Sequence, residues 1–183
     1  AQQIYERELT NLRETYRYLD PDALTRTAEG LAGARRVVTF GRRFSYPIAH
    51  YLSLALKTMR SGVRLAPDPG GSSIDLLYDL SPEDFALAVS LRRYSPEVQN
   101  TLKFLSHTKT PYCLLTDVSP IAHQGENIQV IQAHIGGASV LESYTALVSV
   151  CHTLLAMVYH AIPDSQNRLR QAERAWRDYN KVK

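Results

Sequence analysis

Two short segments of this chain set arginines among hydroxyls: Gly41-Arg42-Arg43-Phe44-Ser45 and Ser90-Leu91-Arg92-Arg93-Tyr94-Ser95. Pro47 and Pro96 follow them, and proline is favoured in the first turn of a helix. A helix start carries unpaired backbone N–H groups and a partial positive charge, so it attracts an anion by itself. Arginine adds a forked, permanently charged donor set that fits a phosphate or carboxylate, each such bond contributing about 1.5–3 kcal/mol. The chemistry expected of Gly41, Arg42, Arg43, Ser45, Ser90, Arg92, Arg93 and Ser95 is therefore capture of a small anionic metabolite. Four arginines oversupply one anion, so some are expected to point elsewhere. Ser45 and Ser95 also have helix capping as a plainer role.

Groups that could move a proton are scattered. Glu97, Glu142, His50 and His134 stand in no spacing that marks catalysis. Glu97 and Glu142 are expected in first helical turns, where a carboxylate favours the helix dipole. Glu142 is also counted among the candidate ligand contacts. The six histidines have no metal-ligand spacing, and the chain lacks a GxSxG elbow, a P-loop and a GxGxxG turn. Gly70-Gly71-Ser72-Ser73 has no phosphate-gripping lysine and reads as a helix-entry turn. A binding protein without cofactor or metal is expected, rather than an enzyme.

These segments need elements to hold them. Five β-type runs, Val37 to Phe40, Val63 to Ala66, Phe85 to Val89, Tyr112 to Thr116 and Ile128 to Ile131, alternate with helical patterns. Ile48, Leu52, Ala55, Leu56 and Met59 repeat at helix spacing, as do Val98, Leu102 and Leu105. Such alternation predicts an α/β fold, a three-layer sandwich with a parallel five-stranded sheet in the order 2-1-3-4-5 and helices on both faces. In that order the ligand crevice lies past the carboxyl ends of the first and third strands, where the two arginine segments fall.

Before the sheet, Tyr5, Leu9, Leu12, Tyr16 and Leu19 predict one apolar stripe on an amphipathic helix. Asp20-Pro21-Asp22 opens a second helix that Gly30 and Gly33 close. After the sheet, residues 140–159 are apolar nearly all round, as in a helix buried in the core or in a subunit interface. A last helix carries Leu169, Ala172, Trp176 and Tyr179 on one face. The expected division is a helical lead-in or connector over 1–34, a ligand-binding domain over 35–162 and a C-terminal helix over 163–183.

With 183 residues and 44% hydrophobic content, the chain can bury a full core. A net charge of +3 is too small to argue for nucleic-acid binding by these residues. Cys113 and Cys151 sit in separate apolar runs and are expected as buried free thiols. No run approaches the roughly 20 apolar residues of a membrane span, and a cytoplasmic protein is expected.

The order of elements and the loops resemble the SIS (sugar isomerase) domain, specifically the effector half of RpiR-type bacterial transcription regulators. The family loop GxGxSxxxA is matched by Gly41, Ser45 and Ala49, with Arg43 at the second glycine. The loop SxSGxTxE is matched by Ser90, by Ser95 at the threonine and by Glu97, with Arg92 and Arg93 at its second serine and glycine. Leu115-Thr116-Asp117 and Ser119-Pro120-Ile121-Ala122 resemble the TD…SPLA stretch after the fourth strand. Ser143, expected to open the long helix, matches a late serine.

The resemblance implies a phosphosugar ligand and a helix-turn-helix domain ahead of these residues, which would make DNA contact only through that absent domain. It implies a sensor whose subunits rearrange when the effector binds. The surplus apolar face of the terminal helices adds a homodimer to this expectation. The alternative carried alongside it is a sugar-phosphate isomerase.

Overall fold

The computed structural model describes residues 1–66, 74–118, 127–138 and 140–181. The five apolar β-type runs form five parallel strands: β1 (Val37–Gly41), β2 (Val63–Leu65), β3 (Phe85–Ser90), β4 (Tyr112–Asp117) and β5 (Ile128–Ala133). They lie in the order β2-β1-β3-β4-β5. Most run one or two residues past the apolar runs that mark them, because the parallel ladder continues to Gly41↔Val89 and Asp117↔Ala133.

Side chains alternate across the sheet and build two cores. Val37, Leu87, Val89, Cys113, Leu115 and Ile131 face one way, onto α2 (Pro21–Gly33), α3 (Tyr46–Met59) and α6 (Thr145–Ala161). Val38, Phe40, Ala86, Ala88 and Leu114 face the other way, onto α4 (Ile74–Leu77) and α5 (Pro96–His107). α2 starts as its residues dictate, with the Asp20 side chain accepting from the amides of Asp22 and Ala23 ahead of a first-turn proline. Cys113 and Cys151 are fully buried and unpaired in the first core, where desolvation pushes both thiols up to about 12. Among the described residues, no single helix is long and apolar enough to cross a membrane.

One expectation needs correction. The long helix begins at Thr145 and not at Val140, since residues 140–144 belong to the loop leading into it. This helix is also not buried all round: Leu147, Val150, Cys151, Leu154 and Val158 pack inward, while Val148 and His152 lie on an exposed side.

The first helix, α1 (Gln2–Tyr18), does not seat its apolar stripe. Its buried residues are Asn11 and Thr15, whereas Tyr5 and Tyr16 are exposed and Leu9 and Leu12 half-buried. The contact face is turned about a quarter-turn from the stripe. The surface beneath it offers open backbone groups, with Asn11 donating to the Gly136 carbonyl at 2.8 Å and Thr15 Oγ1 accepting from the His134 amide at 2.8 Å. Tyr16 adds its hydroxyl to those of Ser149 and Thr153 on α6. On the last helix, α7 (Ser165–Tyr179), Leu169 and Ala172 are half-buried but Trp176 and Tyr179 are exposed, so only part of its apolar face is covered. The Gly70-Gly71-Ser72-Ser73 turn lies outside the described residues.

At the amino ends of the strands, Asp84 is buried beneath two guanidinium groups. Arg35 Nη2 and Arg36 Nη2 reach its Oδ2 at 2.8 and 3.0 Å, and the Ser81 amide donates to the same oxygen at 3.0 Å. Burial alone would raise this carboxyl, but the hydrogen bonds from Arg36 and Arg35 outweigh it and hold it well below the ordinary carboxylate range. A group whose folded pKa is depressed contributes stability above its unfolded pKa, and that contribution fades as pH falls towards the folded value. Asp84→Asn should therefore lower the urea midpoint most at neutral pH, and the gap to the parent protein should narrow steadily below about pH 4. A gap independent of pH would contradict the ionic clamp.

Candidate functional site

β1 sends the chain outward through α3 to β2, and β3 sends it the other way through α5 to β4. Right-handed crossovers in opposite directions put α3 and α5 on opposite faces, which leaves a crevice between the carboxyl ends of β1 and β3. The crevice encloses roughly 430 Å³ including its open mouth. Arg42, Arg43, Ser45, Ser90, Arg92, Arg93, Ser95 and Glu142 all line it, together with Phe44, Val89, Leu91, Val98 and Tyr144. The two arginine segments thus meet in space, on one rim of the sheet.

Gly41 sits just before the crevice, and its role is steric. A Cβ there would lie 2.8 Å from the Ser45 carbonyl oxygen, because the chain doubles back through a single 3-10 turn at Arg43–Ser45. That turn brings Ser45 Oγ to accept from the Leu91 amide at 3.2 Å, so the loop after β1 is tied to the loop after β3. Neither Ser45 nor Ser95 caps its own helix with its side chain. For Ser45 the reason is this cross-loop bond, while Ser95 lines the crevice instead.

Ser90 ends β3, buried, and its hydroxyl has no hydrogen-bond partner. Its carbonyl accepts from Thr116 Oγ1, which fixes the backbone but not the side chain. An unpaired buried hydroxyl costs about 1–3 kcal/mol, and of the described buried hydroxyls without a partner, Thr39, Ser53 and Ser90, Ser90 is the one that lines the crevice.

The arginines divide among three carboxylates. Arg42, nearly buried, forks onto Glu97 in the first turn of α5, with Nε at 2.8 Å from Oε2. Arg92 donates to Asp117 Oδ2 at 3.2 Å, and Tyr94 donates to Oδ1 of the same buried carboxylate at 2.8 Å. Arg93 approaches Glu142 at 3.8 Å, a longer pair whose guanidinium is 62% exposed. Among the described residues, four guanidinium groups thus meet three carboxylates at this rim. Tyr144 stands beside Glu142, and burial followed by that carboxylate pushes its phenol up. Glu142 and Ser143 precede α6, although the Thr145 amide that opens the helix donates to Ser143 Oγ at 3.3 Å. Ser143 turns away from the crevice to donate to Glu8 on α1.

Arg43 and Arg93 have φ of 55° and 68°, in the left-handed region that a side chain disfavours. These are the two positions at which the resembling loops carry glycine. The backbone has kept the glycine shape while the side chain has become a guanidinium, and strain of this kind, about 1–3 kcal/mol each, persists where the surroundings over-determine it.

The roles of Asp117, Tyr94 and Tyr144 were not read from the sequence. Asp117 ends β4 directly after Thr116, and that strand-end position is the sequence signal that points to it. The Ser119-Pro120-Ile121-Ala122 stretch lies outside the described residues. Among the described residues, no group of three or more His, Cys, Asp or Glu could hold a metal ion.

Residues 30–157 match the family model of the SIS domain. The chain is similar to the sugar isomerase domain of an RpiR transcription factor from Sphaerobacter thermophilus, at 27% identity and a TM-score of 0.82, over 94% of this chain and 97% of that one. It is similar in fold to the Vibrio vulnificus NanR protein complexed with ManNAc-6P, at 17% identity and a TM-score of 0.74, over 93% of this chain and 66% of that one. A Methanococcus jannaschii protein, MJ1247, whose structure infers a function of 3-hexulose-6-phosphate isomerase, shares the fold at 13% identity and a TM-score of 0.63, over 93% and 95% of the two chains. No curated protein matches the sequence significantly.

The left-handed backbone at Arg93 separates side chain from strain. Arg93→Gly and Arg93→Ala both remove the pair with Glu142, but only glycine relieves the backbone. The glycine variant should be the more stable of the two by about 1 kcal/mol in chemical denaturation. Equal stabilities would mean that the loop is not strained at this residue.

Proposed function

Since the chain belongs to the SIS domain family, we propose that it is the ligand-sensing effector domain of a transcriptional regulator, and that a sugar phosphate occupies the crevice between β1 and β3. The observation that carries this reading is the Ser90 hydroxyl, buried and unpaired on the crevice wall. With Ser95 and the amides opening α5, it offers donors to phosphate oxygens at a helix start. Arg43, Arg92 and Arg93 supply the charge, Glu142 accepts from a sugar hydroxyl, and Arg42 stiffens the wall through Glu97. Ser45 and Gly41 hold the loop in place. The ligand-binding unit is residues 35–162, and residues 1–34 connect it to a helix-turn-helix domain.

Two considerations favour sensing over isomerisation. A proton-transferring base must be free to accept, and the carboxylates at the crevice face guanidinium groups: Glu97 meets Arg42, Asp117 meets Arg92 and Glu142 meets Arg93. Among the described residues lining the crevice there is no histidine. The likeness to the Sphaerobacter regulator domain supports the regulatory role, and NanR's complex with ManNAc-6P supports the ligand class. The likeness to MJ1247 keeps the isomerase as the competing outcome.

Thermal denaturation with ManNAc-6P and other hexose phosphates tests the reading. A ligand at a hundred times its Kd should add about 2.7 kcal/mol of stability, and it should be recovered unchanged. Turnover would establish the isomerase instead. Ser90→Ala should be about 1 kcal/mol more stable than the parent without ligand, because an unsatisfied hydroxyl is gone, yet should lose the ligand response. Arg43→Ala and Arg92→Ala should also abolish that response, and unaltered affinity in both would remove them from the site.

We also infer a homodimer, formed through the exposed side of α6, through α1, or through both. Light scattering should give about twice the monomer mass at micromolar concentration, and a monomer at all concentrations would refute it.

A further inference from the structure

α1 touches the crevice at one remove. Glu142 and Tyr144, which line the crevice, sit in the loop between β5 and α6, and the two arms of that loop are locked together. The Ser143 amide donates to the Ile135 carbonyl at 3.0 Å. A Cβ on Gly137 would fall 1.8 Å from the Leu141 carbonyl oxygen, so the arms cross with no room between them. A shift of Glu142 must therefore carry residues 135–137 with it.

α1 is bound to this loop on both arms. Glu8 accepts from Ser143, the residue next to Glu142, while Asn11 donates to Gly136 and Thr15 accepts from His134. The only fully buried residues of α1 are Asn11 and Thr15. A helix held by hydrogen bonds to loop backbone and by the Tyr16 hydroxyl to Ser149 and Thr153 on α6, with little apolar burial, lies at the low-stability end of a fold, from which moving elements are drawn.

We propose that α1 is a detachable reporter of crevice occupancy, with Glu142 and Ser143 as the positioning residues that set whether it stays docked. This rests on the reading that the crevice binds an anion. The Arg93–Glu142 pair is the trigger, being long at 3.8 Å and open to solvent on the arginine side. An anion that takes the Arg93 guanidinium frees Glu142 to turn to a sugar hydroxyl, and the loop that moves with it shifts away from Glu8, Asn11 and Thr15. Linkage requires the reverse as well: undocking α1 raises anion affinity by the same factor.

The test is hydrogen exchange of the full chain, followed at the α1 amides and at the His134 amide, with the β3 amides as the internal reference. Glu142→Gln, with no anion added, should speed exchange at both sites about tenfold while leaving β3 unchanged. Thr15→Val, which removes the acceptor of the His134 amide, supplies the benchmark for an undocked helix. Saturating ManNAc-6P should act on the parent as Glu142→Gln does, with saturation judged by the rise in Tm. If Tm rises and exchange in α1 does not change, the coupling is refuted and the sugar-phosphate site stands. If Glu142→Gln speeds exchange but ManNAc-6P gives neither response, the coupling stands and the ligand reading fails. Unchanged exchange in Glu142→Gln refutes the coupling whatever the crevice binds.

Discussion

A parallel strand can reach its neighbour only by a right-handed crossover, and this constraint governs everything above it in the molecule. The chain moves from β1 towards β2 but from β3 towards β4 and β5, so the covering helices leave the β1–β3 seam on opposite faces. No helix can close the carboxyl end of that seam. Loops close it instead, and the bond from the Leu91 amide to Ser45 Oγ keeps the two loops at a fixed distance. The crevice is thus a consequence of topology, and its chemistry is free to vary with the loop residues.

What varies here is how positive charge is presented. A glycine loop offers its amides at close range, whereas Arg43 and Arg93 hold the same left-handed backbone and add long charged arms. Each added guanidinium would repel its neighbours across a small space. Glu97, Asp117 and Glu142 divide that repulsion among separate pairs: in Arg42–Glu97 the guanidinium is the buried partner, and in Arg93–Glu142 it is the exposed one.

The sheet order, the two faces and the position of the crevice were legible because each rests on local patterns: continuous apolar runs, helical spacing between them, and glycine or proline at the joints. The convergence of the arginine segments followed from strand order alone. Pairings were not legible, since Arg42 and Glu97 lie 55 residues apart and nothing local joins them. The seating of α1 was not legible for a related reason. Apolar spacing in Tyr5, Leu9, Leu12, Tyr16 and Leu19 foretells a helix, but the face that docks is chosen by the surface it meets, and that surface presents the Gly136 carbonyl and the His134 amide. The start of the long helix was placed early because Val140 and Leu141 are apolar yet exposed, so composition there carried no information about burial.

Cys113 on β4 and Cys151 on α6 share one core, the strand packed beneath the helix, with neither thiol reaching solvent. Desolvation keeps both in the unreactive neutral form as well. An alkylating reagent at neutral pH therefore has to wait for α6 to part from the sheet. Its rate of reaction becomes a clock for that separation, ticking in the same core that Leu91 and Ile135 enter from the loops beside the crevice.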